Sequence, residues 1–323
     1  MSARWRLLAD IGGTNIRFGL ARDGQPVGTA CEITDLQSWP SENFCDFDAA
    51  LRAYLDGLDR QGVHFTSAAI AAAGPVTPQA ISLTNKDWTI TGDQLRQVLG
   101  HDIKTRLLND LEAVAYALPF LTSDTIDWWD DRRPPSPLVG RQLALNVGTG
   151  FGSAALLATD GGWLCCPAES GHMHLSMADA HEPVLLRAFG SGDVTVEDVL
   201  SGNGACRLWR AVAETCTQST GSLQEDRSFD FTVTGAAMAE TRAIFSALLG
   251  RTAANLTLAA TAWDGVYLCG SVAMAWAEKA DRQAFRRAFS GTSKMRQRLT
   301  DTPIGLIRHP LPALVGLANI ALS

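Results

Sequence analysis

The sequence lacks three patterns that would place it in a specialised class of protein. Its seven cysteines are odd in number and form no CxxC pair, so neither a disulfide framework nor a zinc site of that type is indicated. No run of Lys and Arg occurs and the formal net charge is −7, which argues against nucleic acid as the main partner. No stretch of about 18 apolar residues occurs, so we expect no transmembrane helix and no membrane partner.

The composition that is present is typical of a globular enzyme. The hydrophobic share is 46%, the charged share is 19%, and a length of 323 residues favours two domains over one. Cysteines without a disulfide pattern are typical of the reducing cytoplasm, and residues 4–6 lead directly into an apolar strand, so we expect no cleavable signal. An acidic chain can still bind ATP, because backbone N–H groups and Mg²⁺ can carry the phosphate charge.

The most informative segment is residues 7–20, in which two apolar runs flank a turn of Gly12, Gly13, Thr14 and Asn15. β-rich runs around a short Gly/Asn turn predict a β-hairpin. Glycines in such a turn allow backbone N–H groups to approach a phosphate closely, and Asp10 stands where it could face Mg²⁺ through water. An ordinary hairpin turn with a buried first strand explains the same segment equally well.

A second segment of the same kind, residues 143–157, carries the turn Gly148-Thr149-Gly150 between two apolar runs. One such loop in each half of the chain predicts two related α/β halves that face each other. A nucleotide between them would have its phosphates bound from both sides. The strands and helices alternate along the rest of the chain, which indicates α/β architecture with mixed sheets.

Asn109 and Asp110 follow an apolar strand and precede a helix. Strand ends that face a cleft are where α/β proteins place ligands, and an Asp there can accept the proton of a hydroxyl that attacks phosphorus. Asn and Asp are also the preferred residues before a helix, and on local grounds this capping role is favoured.

Two further polar groups stand beside glycines. Glu169 and His172 share one Gly-containing loop and could converge on adjacent hydroxyls of a polyol. A metal pair is the alternative, but the further imidazole of His174 would point away in an extended loop, which argues against zinc. Glu197 precedes a Gly break at Gly202, and a solvated residue in the first turn of a helix is its alternative reading.

Eight segments, taken in chain order, resemble the bacterial glucokinase family, which is the hexokinase-related type of the sugar kinase, Hsp70 and actin superfamily. They cover nearly the whole chain and are residues 10–15, 73–76, 83–88, 108–110, 148–152, 167–172, 197–202 and 267–271. The chain has no Cys-rich zinc motif after His172, which separates it from the repressor-type sugar kinases.

The resemblance implies a two-domain ribonuclease H-like (actin-like ATPase) α/β fold, with a mixed sheet in each domain and a cleft between them. It implies a small domain of residues 1–110 plus 309–323 and a large domain of residues 111–308. It also implies a cytoplasmic homodimer that uses ATP and Mg²⁺ to convert D-glucose to glucose 6-phosphate at the start of glycolysis.

The resemblance also implies a role for each matching residue. Asp110 is implied to be the general base that deprotonates the sugar 6-hydroxyl. The implied substrate-binding set is Asn85, Asn109, Asp110, Glu169, His172 and Glu197. The implied nucleotide-binding set is Asp10, Gly12, Gly13, Thr14, Asn15, Gly148, Thr149, Gly150 and Gly270, with Asp10 as the residue that binds the metal through water.

The chain departs from the family pattern at several places on the nucleotide side. Asn146-Val147 replaces a Gly-containing pair, Ser170 stands where a second glycine is usual, and Ser271 and Ala273 replace Gly and Pro. A serine at 170 would cost backbone freedom if that position needed a positive φ. These changes leave the implied catalytic residues in place and bear on nucleotide affinity and, to a smaller degree, on sugar preference.

Three other functions are weighed against a glucokinase. A kinase for a different hexose would differ by one or two hydroxyl contacts. A sugar-sensing regulatory protein without catalysis fits the altered adenosine segment, but it has no need of Asp110. An Hsp70-like or actin-like ATPase would need a peptide-binding domain or polymer contacts, and would leave Glu169 and His172 without a role.

Residues 122–141, with Trp128 and Trp129, read as a surface loop that docks on the protein itself or on a second subunit.

Overall fold

The computed structural model describes residues 4–24, 29–58, 63–77, 79–84, 86–136, 138–176, 179–215 and 229–322. The chain divides into two compact units. The first unit comprises Met1–Thr122, Thr159–Cys165 and His309–Ser323, and the second comprises Ser123–Ala158 and Cys166–Arg308.

The strands are, in chain order, β1 (Arg4–Ile11), β2 (Asn15–Arg22), β3 (Ile33–Pro40), β4 (His64–Ala72), β5 (Ala80–Ser82), β6 (Thr89–Thr91), β7 (Lys104–Asn109), β8 (Ile126–Trp128), β9 (Arg141–Val147), β10 (Phe151–Thr159), β11 (Gly162–Ala168), β12 (Val266–Cys269) and β13 (Ile304–Ile307). The helices are α1 (Phe47–Gly57), α2 (Gly92–Leu99), α3 (Asp110–Ala117), α4 (Glu182–Phe189), α5 (Val196–Val199), α6 (Gly202–Thr215), α7 (Ala236–Ala260), α8 (Ser271–Ala277), α9 (Arg282–Ser290), α10 (Arg296–Asp301) and α11 (Pro312–Asn319).

The first unit is built on a mixed sheet with the strand order β3-β2-β1-β4-β7. β1 pairs antiparallel with β2, as the Gly-Gly-Thr-Asn turn predicts, and parallel with β4, which in turn pairs parallel with β7. The interior of β1 is fully buried at Leu7, Leu8 and Ala9, because apolar side chains cover both faces of this central strand. The carboxyl ends of β1, β4 and β7 therefore share one edge of the sheet.

The second unit contains the strand order β10-β9-β12-β13-β8. β9 and β10 form the second predicted hairpin, and β9, β12 and β13 run parallel to one another. The short strand β8 pairs antiparallel with β13 at the edge of the sheet.

Both sheets therefore contain the same arrangement: an antiparallel hairpin whose first strand is followed by two parallel strands. In the first unit this is β2-β1-β4-β7, and in the second it is β10-β9-β12-β13. The prediction of two related α/β halves, each with a mixed sheet, is confirmed.

Each unit buries its own apolar core. The longest helix, α7, is long and apolar enough to cross a membrane, but more than half of that stretch is buried inside the second unit. Phe245 on α7 packs edge-on against Phe231, and the indole N–H of Trp276 donates to Ser246 Oγ at 2.9 Å. α7 is therefore a core helix of the second unit.

The segment predicted as a surface loop, residues 122–141, is in part regular structure. Residues 126–128 form β8, and Trp128 lies edge-on against Tyr267 with ring centroids 5.7 Å apart. Trp129 packs against Phe285 with ring centroids 4.5 Å apart. The pure-loop reading was wrong for β8, because pairing with β13 and aromatic packing outweigh the local Pro and charge content. The segment docks on the protein's own second unit.

Candidate active site

The first glycine turn is held by its own backbone and by Ser41. The N–H of Gly12 donates to Asn15 O at 2.9 Å, which closes the turn. Ser41 donates twice, from N–H to Thr14 O at 2.8 Å and from Oγ to Gly13 O at 2.8 Å. Gly13 and Thr14 are exposed, so the turn is fixed and accessible at the same time. A fixed turn with an exposed backbone is compatible with the binding of an anion.

Asp10 lies near the end of β1, opposite Arg17 on β2. Its Oδ2 forms an ion pair with Arg17 Nη1 at 3.0 Å. Burial raises the pKa of Asp10 and outweighs the opposing effect of Arg17, and the charge of Asp110 adds to the rise. The two carboxylates therefore act on each other electrostatically within the first unit.

In the described part of the chain, no group of three or more His, Cys, Asp or Glu residues is placed to hold a metal ion. Asp10 is a single carboxylate at a strand end, beside the exposed turn. Mg²⁺ is commonly bound by one or two carboxylates together with water and substrate phosphates. The donor set present thus fits Mg²⁺ that arrives with a nucleotide, and it does not fit a resident metal centre.

Asn109 is the N-cap of α3, the role that the local pattern favoured. Its Oδ1 accepts from the N–H of Leu111 at 3.0 Å, and its Nδ2 donates to Gly74 O at 3.3 Å. The second contact joins the ends of the neighbouring strands β4 and β7. Asn109 is thereby fixed at the carboxyl edge of the sheet.

Asp110 is the first residue of α3, and its Oδ1 accepts from the Leu111 N–H at 2.8 Å. Burial raises the pKa of this carboxyl, although the backbone N–H groups of Leu111 and Asp110 itself oppose the shift. A carboxylate with a raised pKa is a better proton acceptor than an exposed one. The capping role therefore falls to Asn109, while Asp110 is suited to act as a base.

The second glycine turn is equally fixed. The N–H of Gly148 donates to Gly150 O at 2.9 Å, and the N–H of Gly202 donates to Gly148 O at 3.1 Å. A Cβ at position 150 would lie 2.5 Å from Glu197 Oε2, so only glycine fits there without displacing that carboxylate. Thr149 at the tip is exposed.

Glu197, on α5, is not a solvated helix residue. Its Oε2 accepts a hydrogen bond of 2.8 Å from the N–H of Phe151, the residue after the second glycine turn. A Cβ at Gly171 would meet Phe151 O and would lie 3.1 Å from Glu197 Oε2. The structure thus brings Glu197, the second glycine turn and the turn that follows Glu169 together. The sequence offered no signal for this contact, since the residues are 46 positions apart.

Glu169 precedes a short 3-10 turn, Ser170–His172, that ends at His172, and both residues are exposed. The N–H of His172 donates to Glu169 O at 3.2 Å. Ser170 is fully buried, and among the described non-glycine residues a positive φ occurs at Asp35 and Thr261 and not at Ser170. The serine that departs from the family pattern therefore imposes no backbone strain.

Gly270 ends β12 in a conformation with φ +97°, which favours glycine. A Cβ there would collide with Asn146 Oδ1 and with Val147 O. The Asn146 side chain thus fills the space opposite Gly270. This packing explains why a side chain is accommodated at position 146, where the family pattern has a Gly-containing pair. Ala273 is buried on α8 and Ser271 is exposed at its start.

Asn85 lies outside the described residues. Its neighbour Lys86 donates from Nζ to Ser41 O at 2.7 Å and lies 4.4 Å from the centre of the Trp88 ring. This connects the polar loop to the residue that holds the first glycine turn.

Mixed sheets of the same topology, each with a glycine turn after its first strand, are those of the actin-like ATPase fold. The Glucokinase family model matches residues 7–323. The glucokinase of Cupriavidus pinatubonensis is 34% identical to this chain, over 97% of it and 91% of the relative. The crystal structure of a glucokinase from an Antarctic psychrotroph has a TM-score of 0.85 at 26% identity and covers 98% of both chains.

A ROK family glucokinase from Streptomyces griseus, solved in complex with glucose and AMPPNP, has a TM-score of 0.61 at 18% identity. The match covers 98% of this chain and 99% of that one. At this identity the likeness shows the fold alone. The chain belongs to the glucokinase family. The enzyme class predicted from the motifs is confirmed by this membership, and nothing supports the non-catalytic sensor.

Proposed function

We propose that this chain transfers the γ-phosphoryl group of ATP to the 6-hydroxyl of D-glucose, with Asp110 as the general base. The observation that carries the proposal is the position of Asp110 at the end of β7, with one oxygen held by the Leu111 N–H and a pKa raised by burial. Phosphoryl transfer depends mainly on positioning and charge stabilisation, so one oriented base suffices for the proton.

In the proposed step, Asp110 accepts the proton of the 6-hydroxyl while the sugar oxygen bonds to the γ-phosphorus. The bond between that phosphorus and the bridging oxygen breaks, and ADP leaves with the electron pair. The Leu111 N–H holds Oδ1, and Oδ2 is the oxygen proposed to accept the proton. Asp110 then releases its proton to solvent after the product leaves.

The glycine turns are proposed to bind the phosphates of ATP. Their rigid backbones, closed by Gly12 N–H to Asn15 O and by Gly148 N–H to Gly150 O, support this role. Gly270 is proposed to lie beside the adenosine, since its positive φ lets the chain turn sharply between β12 and α8. Mg²⁺, when bound with the nucleotide, would neutralise phosphate charge, and Asp10 is the residue proposed to hold it through water.

The hydroxyl groups of glucose are proposed to be read by Asn109, Asp110, Glu169, His172 and Glu197, with Asn85 as a further contributor. Glu169 and His172 are exposed on the same short turn, which supports a direct contact with ligand. Charge-assisted hydrogen bonds discriminate well between sugars, because a missing hydroxyl would leave a charged partner unsatisfied.

Three wider features belong to the same proposal. The protein is proposed to be a cytoplasmic homodimer that acts at the start of glycolysis. The resemblance implies a boundary between the two domains after residue 110, whereas the first compact unit continues to Thr122 and so includes α3.

The test is ADP release by the purified protein with Mg²⁺-ATP and D-glucose, with product identified by glucose 6-phosphate dehydrogenase. Saturable release that depends on glucose supports the proposal. Turnover with another hexose and none with glucose would mean that the other hexose is the substrate. Glucose binding without turnover on any hexose would overturn the kinase function in favour of a sensor.

A further inference from the structure

The first unit contains a cavity of about 610 Å³ that none of the residues assigned above lines. Its lining includes Arg4, His64 and Lys104, which are the first residues of β1, β4 and β7. Asn109 and Asp110 lie at the opposite ends of these parallel strands. The cavity is therefore at the far edge of the sheet from the base, and its volume suits a small molecule.

The cavity is positively charged although the protein is acidic. With its histidines neutral, the lining has four cationic side chains (Arg4, Arg6, Arg22 and Lys104) against the two carboxylates of Asp23 and Asp102, which leaves a net charge of +2. The whole chain carries −7. Asp23 is already paired with Arg6 at 2.9 Å, so Arg4, Arg22 and Lys104 supply the charge available to a ligand.

One wall of the cavity is built by the residues at the end of α11, and cationic side chains hold it in place. Arg6 is buried and donates from Nη1 to Leu317 O, Ala318 O and Ile320 O at 3.1, 3.0 and 2.8 Å. Lys104 Nζ donates to Leu322 O at 3.3 Å. The wall is therefore a fixed part of the unit.

The rest of the lining combines aromatic and aliphatic side chains with polar ones. It includes the rings of Phe65, Tyr116, Phe120 and Trp163. Aromatic rings favour a flat apolar group, and arginines favour a phosphate, so the combined lining suits one molecule that carries both.

Residues of α3 and α11 also line the cavity. Tyr116 lies on α3, which begins at Asp110, and Ala318 and Asn319 end α11. The two helices pack closely at Gly316, where a Cβ would collide with Ala113 O. A ligand in the cavity would thus contact both members of the pair that positions Asp110.

We propose that this cavity is an effector site for a small organic phosphate monoester with a planar ring, and that its occupation changes turnover through α3 and α11. Binding stands independently of the catalytic assignment. The effect on turnover rests on the proposed function, because it assumes that Asp110 is the base.

Binding is tested by titration calorimetry of the full chain with phenyl phosphate, in the presence of saturating glucose and AMPPNP so that the catalytic site is occupied. One site is expected. A variant with both Arg22→Gln and Lys104→Gln should bind roughly tenfold more weakly or worse, since it loses charged contacts. Arg52→Gln, an exposed arginine on α1 outside the cavity, is the matched control and should bind as the wild type does.

A second variant fills the space and leaves the charges in place. Ala321→Trp, at an exposed lining position after α11, should abolish phenyl phosphate binding while its melting curve stays cooperative. Inorganic phosphate should bind more weakly than phenyl phosphate. Equal binding of the two anions, or undiminished binding by Ala321→Trp, would overturn the proposed site.

The effect on turnover is measured as kcat at saturating glucose and ATP, with and without phenyl phosphate. A change in kcat that disappears in Ala321→Trp is expected. Unchanged kcat in the saturated wild type would overturn the effector role. Absence of any glucose kinase activity would instead refute the proposed function, and the calorimetry would still decide whether the site exists.

Discussion

The carboxylate of Glu197 accepts a hydrogen bond of 2.8 Å from the backbone N–H of Phe151. This bond ties α5 to the strand that leaves the second glycine turn, and it places Glu197 against Gly150 and Gly171. A residue proposed to read a sugar hydroxyl is thus bonded to a loop proposed to bind ATP phosphate. Loss of the Glu197 side chain should therefore weaken the binding of both glucose and ATP.

Glu197→Ala and Glu197→Gln separate these two roles. Glutamine keeps an oxygen that can accept from Phe151 but loses the charge, so we expect a KM for glucose about tenfold higher and a nearly unchanged KM for ATP. Alanine loses both, so both KM values should rise. Initial-rate kinetics give the two constants, and Glu214→Gln on α6 is the exposed control. Equal KM values for ATP in the two variants would contradict the tie between Glu197 and the glycine turn.

Asp110→Asn should reduce kcat by roughly 10²–10⁴-fold, the usual contribution of a general base. The amide oxygen can still accept from Leu111, so α3 and glucose binding should persist. The measurement is ADP release together with calorimetric glucose affinity. Asp160→Asn, on the exposed turn between β10 and β11, should leave kcat unchanged. Full activity of Asp110→Asn would refute the proposed mechanism.

Asp110 should also determine a pH dependence of stability with a defined sign. Burial raises its pKa in the folded protein, so the folded state holds this proton more tightly than the unfolded state. Stability is therefore lost as pH rises through the raised pKa, and at neutral pH the ionised carboxylate is a cost. Asp110→Asn should raise the melting temperature at pH 7, and the gain should shrink as pH falls below the raised pKa. Melting curves from pH 4 to 8 test this, and a gain that grows toward low pH would contradict it.

The kcat/KM of the enzyme should also decrease at low pH. The base must be ionised, so kcat/KM should fall as pH drops through the raised pKa, above the value near 3.9 of an exposed Asp. Burial also raises the pKa of Asp10, and the charge of Asp110 makes the smallest contribution to that rise.

Gly316→Ala should destabilise the first unit by about 1–3 kcal/mol, the usual cost of overpacking. A Cβ at this position on α11 would collide with Ala113 O on α3, so the helices must separate. Gly57→Ala at the end of α1, where a Cβ meets nothing within 4 Å, is the matched control and should be neutral or slightly stabilising. Chemical denaturation of both variants measures the difference. Equal stability would mean that α3 and α11 can separate at little cost.

Trp129→Ala should destabilise the second unit by up to about 3 kcal/mol, below the range of a fully buried aromatic, because Trp129 is partly buried. Trp129 packs on Phe285 and lies 5.2 Å from the ring centre of Trp276. Val139→Ala, at a side chain that is 73% exposed, should change little. The free energies of unfolding of the two variants decide whether residues 122–141 stabilise the second unit, and a neutral Trp129→Ala would show that the segment adds nothing.

Much of the fold could be predicted from the sequence. The glycine turns after residues 11 and 147, the strand ending at Asn109 and the helix starting at Asp110 are all set by local patterns. Turn chemistry, apolar periodicity and capping preferences act within a few residues, so a single sequence displays them. The order of the glucokinase motifs then identified the family.

Tertiary structure decided the contacts that join distant segments. The bond from Phe151 to Glu197, the packing of Trp129 on Phe285 and the fit of Asn146 opposite Gly270 each depend on which strands and helices become neighbours. The same is true of the cavity beside Arg6, whose walls come from both ends of the chain. Local patterns specify the elements, whereas side-chain packing between elements fixes their partners, and that information is spread over the whole chain.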